Sequence, residues 1–152
     1  MIVPHYEWRR SVKNRFVLRS DFPVDLGRSF GECKLRVRDY ELGVIEGRNL
    51  TIRSGFEWDG CTPSQLWGVP WLSVPSPAAT AGPSLVHDVL CQFAGASGCP
   101  WDREFADDEF ARLLKANGFA FRQLYVSAVR LYRELAPFTP PSPEIKLILS
   151  HN

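Results

Sequence analysis

His87 and Asp88 stand side by side in the run Pro83-Ser84-Leu85-Val86-His87-Asp88-Val89-Leu90-Cys91-Gln92-Phe93. An imidazole beside a carboxylate is equipped to ligate a metal, act as a general base, or anchor a buried hydrogen-bond network. At about 100° per residue, a helix through this run gathers Leu85, Val86, Val89, Leu90 and Phe93 on one apolar stripe. His87 and Asp88 then fall on the two shoulders of its polar face. Cys91 follows His87 by four residues and Ser84 precedes it by three, which makes a small polar strip. A Cys91 nucleophile with His87 as its base is disfavoured, because an i,i+4 pair on one helix constrains the approach of a substrate. Two more carboxylates have pointed positions. Asp59, in the Asp59-Gly60 dipeptide after Trp58, ends a strand and on its own reads as an Asx-turn. Asp107 lies at the edge of a later helix's apolar stripe, where a carboxylate would be half-buried. Its neighbours Asp108 and Glu109 read as solvated first-turn acids. The chain contains no G-x-S-x-G, Walker-type loop, H-E-x-x-H or EF-hand loop.

These residues need elements to position them. From Phe16 to Trp58 the pattern has a period near two: Cys33, Leu35 and Val37 alternate with Lys34, Arg36 and Arg38, and Leu50 and Ile52 with Thr51 and Arg53. Gly43, Gly47 with Asn49, and Gly55 punctuate this segment, which predicts short antiparallel strands joined by turns. Residues 59–83 hold Pro63, Pro70, Pro75, Pro77 and Pro83 with three glycines, and read as a long loop in which Leu66, Trp67 and Trp71 pack onto the body. A first helix opens at Pro83-Ser84 and reaches about Phe93. A second runs from about Asp102 to Ala116 on Phe105, Ala106, Phe110, Leu113 and Leu114, and Asn117-Gly118 ends it. A third spans about Arg122 to Leu135, with Leu124, Ala128, Leu131, Tyr132 and Leu135 as its apolar face. The order is an N-terminal antiparallel meander, a Pro/Trp-rich loop and about three helices, an α+β class. Residues 1–136 form one domain, and 137–152, with Pro137, Pro140, Pro141 and Pro143, an extended and mobile tail.

Composition bounds the chemistry. The 152 residues are 45% hydrophobic with a net charge of +1, enough apolar content for one packed core and too little positive charge for a dedicated nucleic-acid binder. Arg36, Arg38, Arg48 and Arg53 could meet phosphate, although a solvated sheet face is the simpler reading. No stretch approaches the roughly 18 apolar residues of a membrane span, and the N-terminus lacks a signal-peptide core. The charge is unevenly spread: residues 1–53 carry +4, 54–111 carry −7 and 112–152 carry +4. Acidic residues at helix starts explain the middle block, and a carboxylate cluster facing a cation is the sharper alternative. Cys33, Cys61, Cys91 and Cys99 include no C-x-x-C pair and fit no common zinc spacing, so reduced thiols are expected.

Three segments in this order carry a resemblance. They are Gly55-Phe56-Glu57-Trp58-Asp59-Gly60-Cys61-Thr62-Pro63, the His87-Asp88 run, and Arg103-Glu104-Phe105-Ala106-Asp107-Asp108-Glu109-Phe110 with the following Gly118 and Ala128–Tyr132. Together, over about residues 50–133, they resemble an uncharacterised family of tailed-phage and prophage genomes. Its members share a G-F-x-x-D-G-x-S-x-P-like strand end, an H-D-x-L-Y helix and an R-x-x-A-D-x-x-F helix. Cys91 stands where that motif has Tyr, and Thr62-Pro63 where it has Ser with a nearby Pro. The resemblance implies a phage origin, a place in the virion or the host bacterial cytoplasm, and an α+β fold, but no reaction.

Carried over residue by residue, it singles out Asp59, His87, Asp88 and Asp107 and nothing else; Trp58 and Cys91, next to them in sequence or on the helix, are candidate members of the same binding or structural cluster. Two readings follow. In the first, the protein is a virion-associated or host-interacting module, partnered by other phage proteins or a host protein, whose His/Asp cluster is structural. In the second, it is a small hydrolase in which Asp59, His87, Asp88 and Asp107 hold one divalent metal ion, with His87 as ligand or base and Asp88 orienting it.

Overall fold

The computed structural model describes residues 3–9, 15–58, 77–135 and 142–149. Among the described residues seven strands precede the helices: β1 (Tyr6–Arg9), β2 (Arg15–Leu18), β3 (Phe22–Asp25), β4 (Glu32–Val37), β5 (Tyr40–Glu46), β6 (Asn49–Ile52) and β7 (Glu57–Trp58). Three helices follow among the same residues, α1 (Pro77–Phe93), α2 (Arg103–Ala116) and α3 (Arg122–Leu135), and then β8 (Ile145–Leu149). The fold is α+β. The strands form a three-stranded sheet ordered β1-β2-β7 and a five-stranded sheet ordered β3-β6-β5-β4-β8, with every pairing antiparallel.

The alternation read from the sequence sets which way the sheet faces. Cys33 and Leu35 of β4 and Leu50 and Ile52 of β6 point into the core, while Lys34 stays outside. Against them lie Leu85, Val86, Val89, Leu90 and Phe93 of α1, each with no exposed surface. A second apolar cluster of Ala79, Phe110, Leu114, Phe119, Tyr125 and Val126 joins the start of α1 to α2 and α3. Among the described residues no helix is long and apolar enough to cross a membrane.

Helix α2 carries its boundaries in its sequence. The Asp102 side chain accepts a hydrogen bond from the Phe105 amide at 2.8 Å, as an N-cap does. At the other end Gly118 takes a positive φ of 69°, its amide donates to Lys115 O, and the Phe119 amide donates back to Leu114 O. That is the paired closure of a Schellman motif, with Phe119 and Leu114 in one apolar cluster.

Four expectations are corrected. The segment 59–83 is not all loop, because α1 is helical from Pro77 and runs through Pro83. A proline there leaves the carbonyl of Ala79 without its helical donor. The Asn117 side-chain amide donates to that oxygen at 2.9 Å and replaces the missing bond. Gly43 is not a turn residue but lies inside β5, where a Cβ would come within 2.8 Å of Thr51 O. The turn falls instead at Arg38 and Asp39, with Arg38 at φ 55°. The extended tail expected over 137–152 contributes β8, whose Ile145 and Leu147 pack against the core as it pairs with β4. The apolar face assigned to α3 is the exposed one: Leu124, Leu131, Tyr132 and Leu135 face solvent, and Tyr125 and Val126 are buried.

Candidate functional site

The three helices converge on a chain of charges. His87 projects from α1 toward α2, where its Nε2 lies 2.9 Å from Asp107 Oδ1. The Asp107 side chain is only 3% exposed, so the half-buried position expected for it is in fact a buried one. Its second oxygen, Oδ2, lies 3.0 Å from Arg133 Nη1 of α3. Both of those atoms are buried and neither completes a well-angled hydrogen bond, so their attraction is that of an ion pair. On the other side of the ring, His87 Nδ1 lies 3.6 Å from Asp88 Oδ1, within ion-pair reach. Cys91 Sγ is 3.5 Å from His87 Nε2, and the Phe110 ring stacks at a tilt 5.2 Å from the imidazole centroid.

The electrostatics follow from this geometry. Burial disfavours the charged imidazole, but hydrogen bonding to Asp107, Asp88 and Cys91 outweighs it and holds the His87 pKa well above its ordinary value of 6.5. The cluster is then a closed set of alternating charges: Asp88 carboxylate, His87 imidazolium, Asp107 carboxylate and Arg133 guanidinium. An imidazolium has no lone pair to give a metal or to accept a proton. His87 Nε2, Cys91 Sγ and an Asp107 oxygen do lie within 4.8 Å of one another, a spacing that a metal ion could bridge if the imidazole lost its proton.

Of the residues singled out from the sequence, His87, Asp88, Cys91 and Asp107 come together. Asp59 lies outside the described residues. Trp58 is buried but belongs to a different contact: its indole N–H donates to Ser84 Oγ at 3.2 Å, and its ring packs with Tyr6 and Phe16. It fixes the end of β7 against α1, one turn before His87.

Two features were missed. Arg133 belongs to the arc of α3 that carries Tyr125, Val126 and Val129, the face that packs inward. A basic residue in register with a core-facing stripe is the clue that a buried carboxylate awaits it. Glu109, expected to be solvated, is buried with a side chain only 4% exposed. Arg112 grips both of its oxygens at 2.8–3.1 Å, and the Gly27 amide donates to Oε1 at 2.8 Å. A Cβ at Gly27 would sit 2.4 Å from Glu109 Oε1, so a side chain there would push the carboxylate out of this clamp. Arg112 also donates to Asp25 O, so this clamp ties α2 to the strand end of β3 as the first ties the helices together.

A cleft of about 170 Å³ between β3, α1 and α2 is lined by Phe22, Val24, Val86 and Leu113. Its polar side chains are Asp25, Arg112 and Asn117, each already bonded within the protein. It is small beside the roughly 300–1,000 Å³ of a typical ligand pocket. The four arginines that could meet phosphate are likewise engaged: Arg53 with Asp21 and Glu41, Arg48 with Asp25, Arg38 with Glu144, and Arg36 with Asp39 O. Comparison with family models, curated proteins and solved structures returns no match.

Proposed function

We propose that this protein is a non-catalytic interaction module, phage-encoded and acting in the virion or on a host protein, in which the His87 cluster is an internal clamp. The observation that supports this reading is the closure of the cluster. Both ring nitrogens of His87 face carboxylates, and Asp107 spends its second oxygen on Arg133, so each charge is neutralised by a neighbour inside the protein. A catalytic base or a metal site needs at least one valence turned toward substrate or ion. The phage assignment rests on the resemblance of the Asp59, His87 and Asp107 motifs alone.

One observation favours the rival reading of a metal-dependent hydrolase, the 4.8 Å grouping of His87, Cys91 and Asp107. Metal content and melting temperature, measured on the wild type, Asp107→Asn and Cys91→Ala, separate the two. A clamp predicts a metal-free wild type. It predicts that Asp107→Asn loses about 2–4 kcal/mol, because the variant strands a buried cation, and that Cys91→Ala melts within a few degrees of wild type. Near-stoichiometric metal in the wild type, lost from both variants, would overturn the clamp and establish the metal site.

A further inference from the structure

Helix α3 is apolar over far more of its circumference than one contact requires. At about 100° per residue its apolar and core-facing positions span roughly 220°, against the roughly 100° stripe of an ordinary surface helix. Only half of that arc is used, with Tyr125 and Val126 buried and Val129 packed beside them. The other half faces solvent, with Phe121 just before the helix: Phe121 is 54% exposed, Leu124 46%, Leu131 51%, Tyr132 53% and Leu135 74%. Phe121, Leu124, Ala128, Leu131 and Leu135 follow one another at spacings of three, four, three and four, the rhythm of a helix–helix seam.

We infer that this face pairs with the same face of a second copy, the two α3 helices running antiparallel about a two-fold axis through Ala128. The seam is self-complementary in that direction. Its one small residue sits at the midpoint, so Ala128 meets Ala128 of the second copy and the helices approach closely. Leu124 then meets Leu131, and Phe121 meets Leu135, on each side of the axis.

The area is sufficient. With about 200 Å² for a large side chain and about half of each exposed, the seam offers on the order of 500 Å² per copy. The pair therefore buries on the order of 1,000 Å², the lower limit of a specific interface, which fits a dimer of micromolar affinity. This inference does not depend on the role of the His87 cluster, which lies on the opposite, inward side of α3.

Sedimentation equilibrium of the full chain, from nanomolar to high-micromolar concentration, tests it. The expected result is a monomer–dimer equilibrium whose dissociation constant rises at least about a hundredfold in Leu124→Glu/Leu131→Glu, with unchanged far-UV circular dichroism. Ala128→Glu, a single change at the proposed axis, serves if the double variant misfolds, and it too should leave a folded monomer. A wild type that stays monomeric throughout overturns the inference, as does a dimer that persists in the folded variants.

Discussion

His87 is held by groups from all three helices. Asp88 and Cys91 face it from α1, Asp107 from α2, and Arg133 stands behind Asp107 from α3. Its titration is therefore coupled to folding, and the sign can be worked out. The unfolded chain releases the imidazole proton near pH 6.5, whereas the folded chain keeps it well above that. A raised native pKa contributes stability that is complete below the unfolded value and is lost as pH rises through the folded one. Urea midpoints measured from about pH 6 to about pH 9 should fall with rising pH in the wild type, and that alkaline loss should be smaller in His87→Gln. At this scale the sequence was readable where chemistry is local. The His87-Asp88 adjacency and the marginal position of Asp107 on its helix both marked the cluster. Arg133 was not readable, because its partner lies 26 residues away and the helix that carries it has two apolar faces.

The elements show why boundaries were predicted well in one place and poorly in another. Helix α2 begins at an Asp and ends at Asn-Gly, and it forms where those residues dictate. Helix α1 ignores a proline because the cost is met from elsewhere in the fold. Asn117, at the C-cap of α2, donates to the Ala79 carbonyl that Pro83 leaves without a donor. No pattern local to residues 77–93 could disclose that. The compensation makes a prediction in the form of a double-mutant cycle. Asn117→Ala should cost about 1–2 kcal/mol in the wild type, the penalty of a buried carbonyl left unpaired. In a Pro83→Ala background, where the helix supplies its own N–H, it should cost at least about 0.5 kcal/mol less. Equal costs in both backgrounds, read by denaturant titration, would mean that Asn117 stabilises the helix by another route. The α3 face is the converse case: its Leu124-to-Leu135 stripe is the stronger apolar signal, yet the weaker stripe through Tyr125 and Val126 meets the core.

Across the whole molecule, the order of strands before helices and the antiparallel pairing were legible from period and punctuation, but the last strand was not. Segment 142–149 follows a cluster of prolines, and only its partner, β4, makes a strand of it. Cys33 lies in that partner, opposite Leu149, and burial with the nearby Cys99 thiol pushes its pKa up to about 11. Removing residues 142 onward should open the β4 edge and speed labelling of Cys33 by a thiol reagent well beyond its rate in the full chain, as peptide mapping would show. An unchanged rate would mean that the rest of the core shields Cys33 without β8. The same pairing bears on synthesis. Leu35 pairs with Leu147, so β4 leaves the ribosome about a hundred residues ahead of β8. At ~5–20 residues per second, that edge stands open for on the order of ten seconds. Lys34 and Arg36, spaced along β4, put positive charge on the strand through that interval and discourage a neighbouring nascent chain from docking there. Charges that look incidental in the finished sheet thus have their use before it is finished.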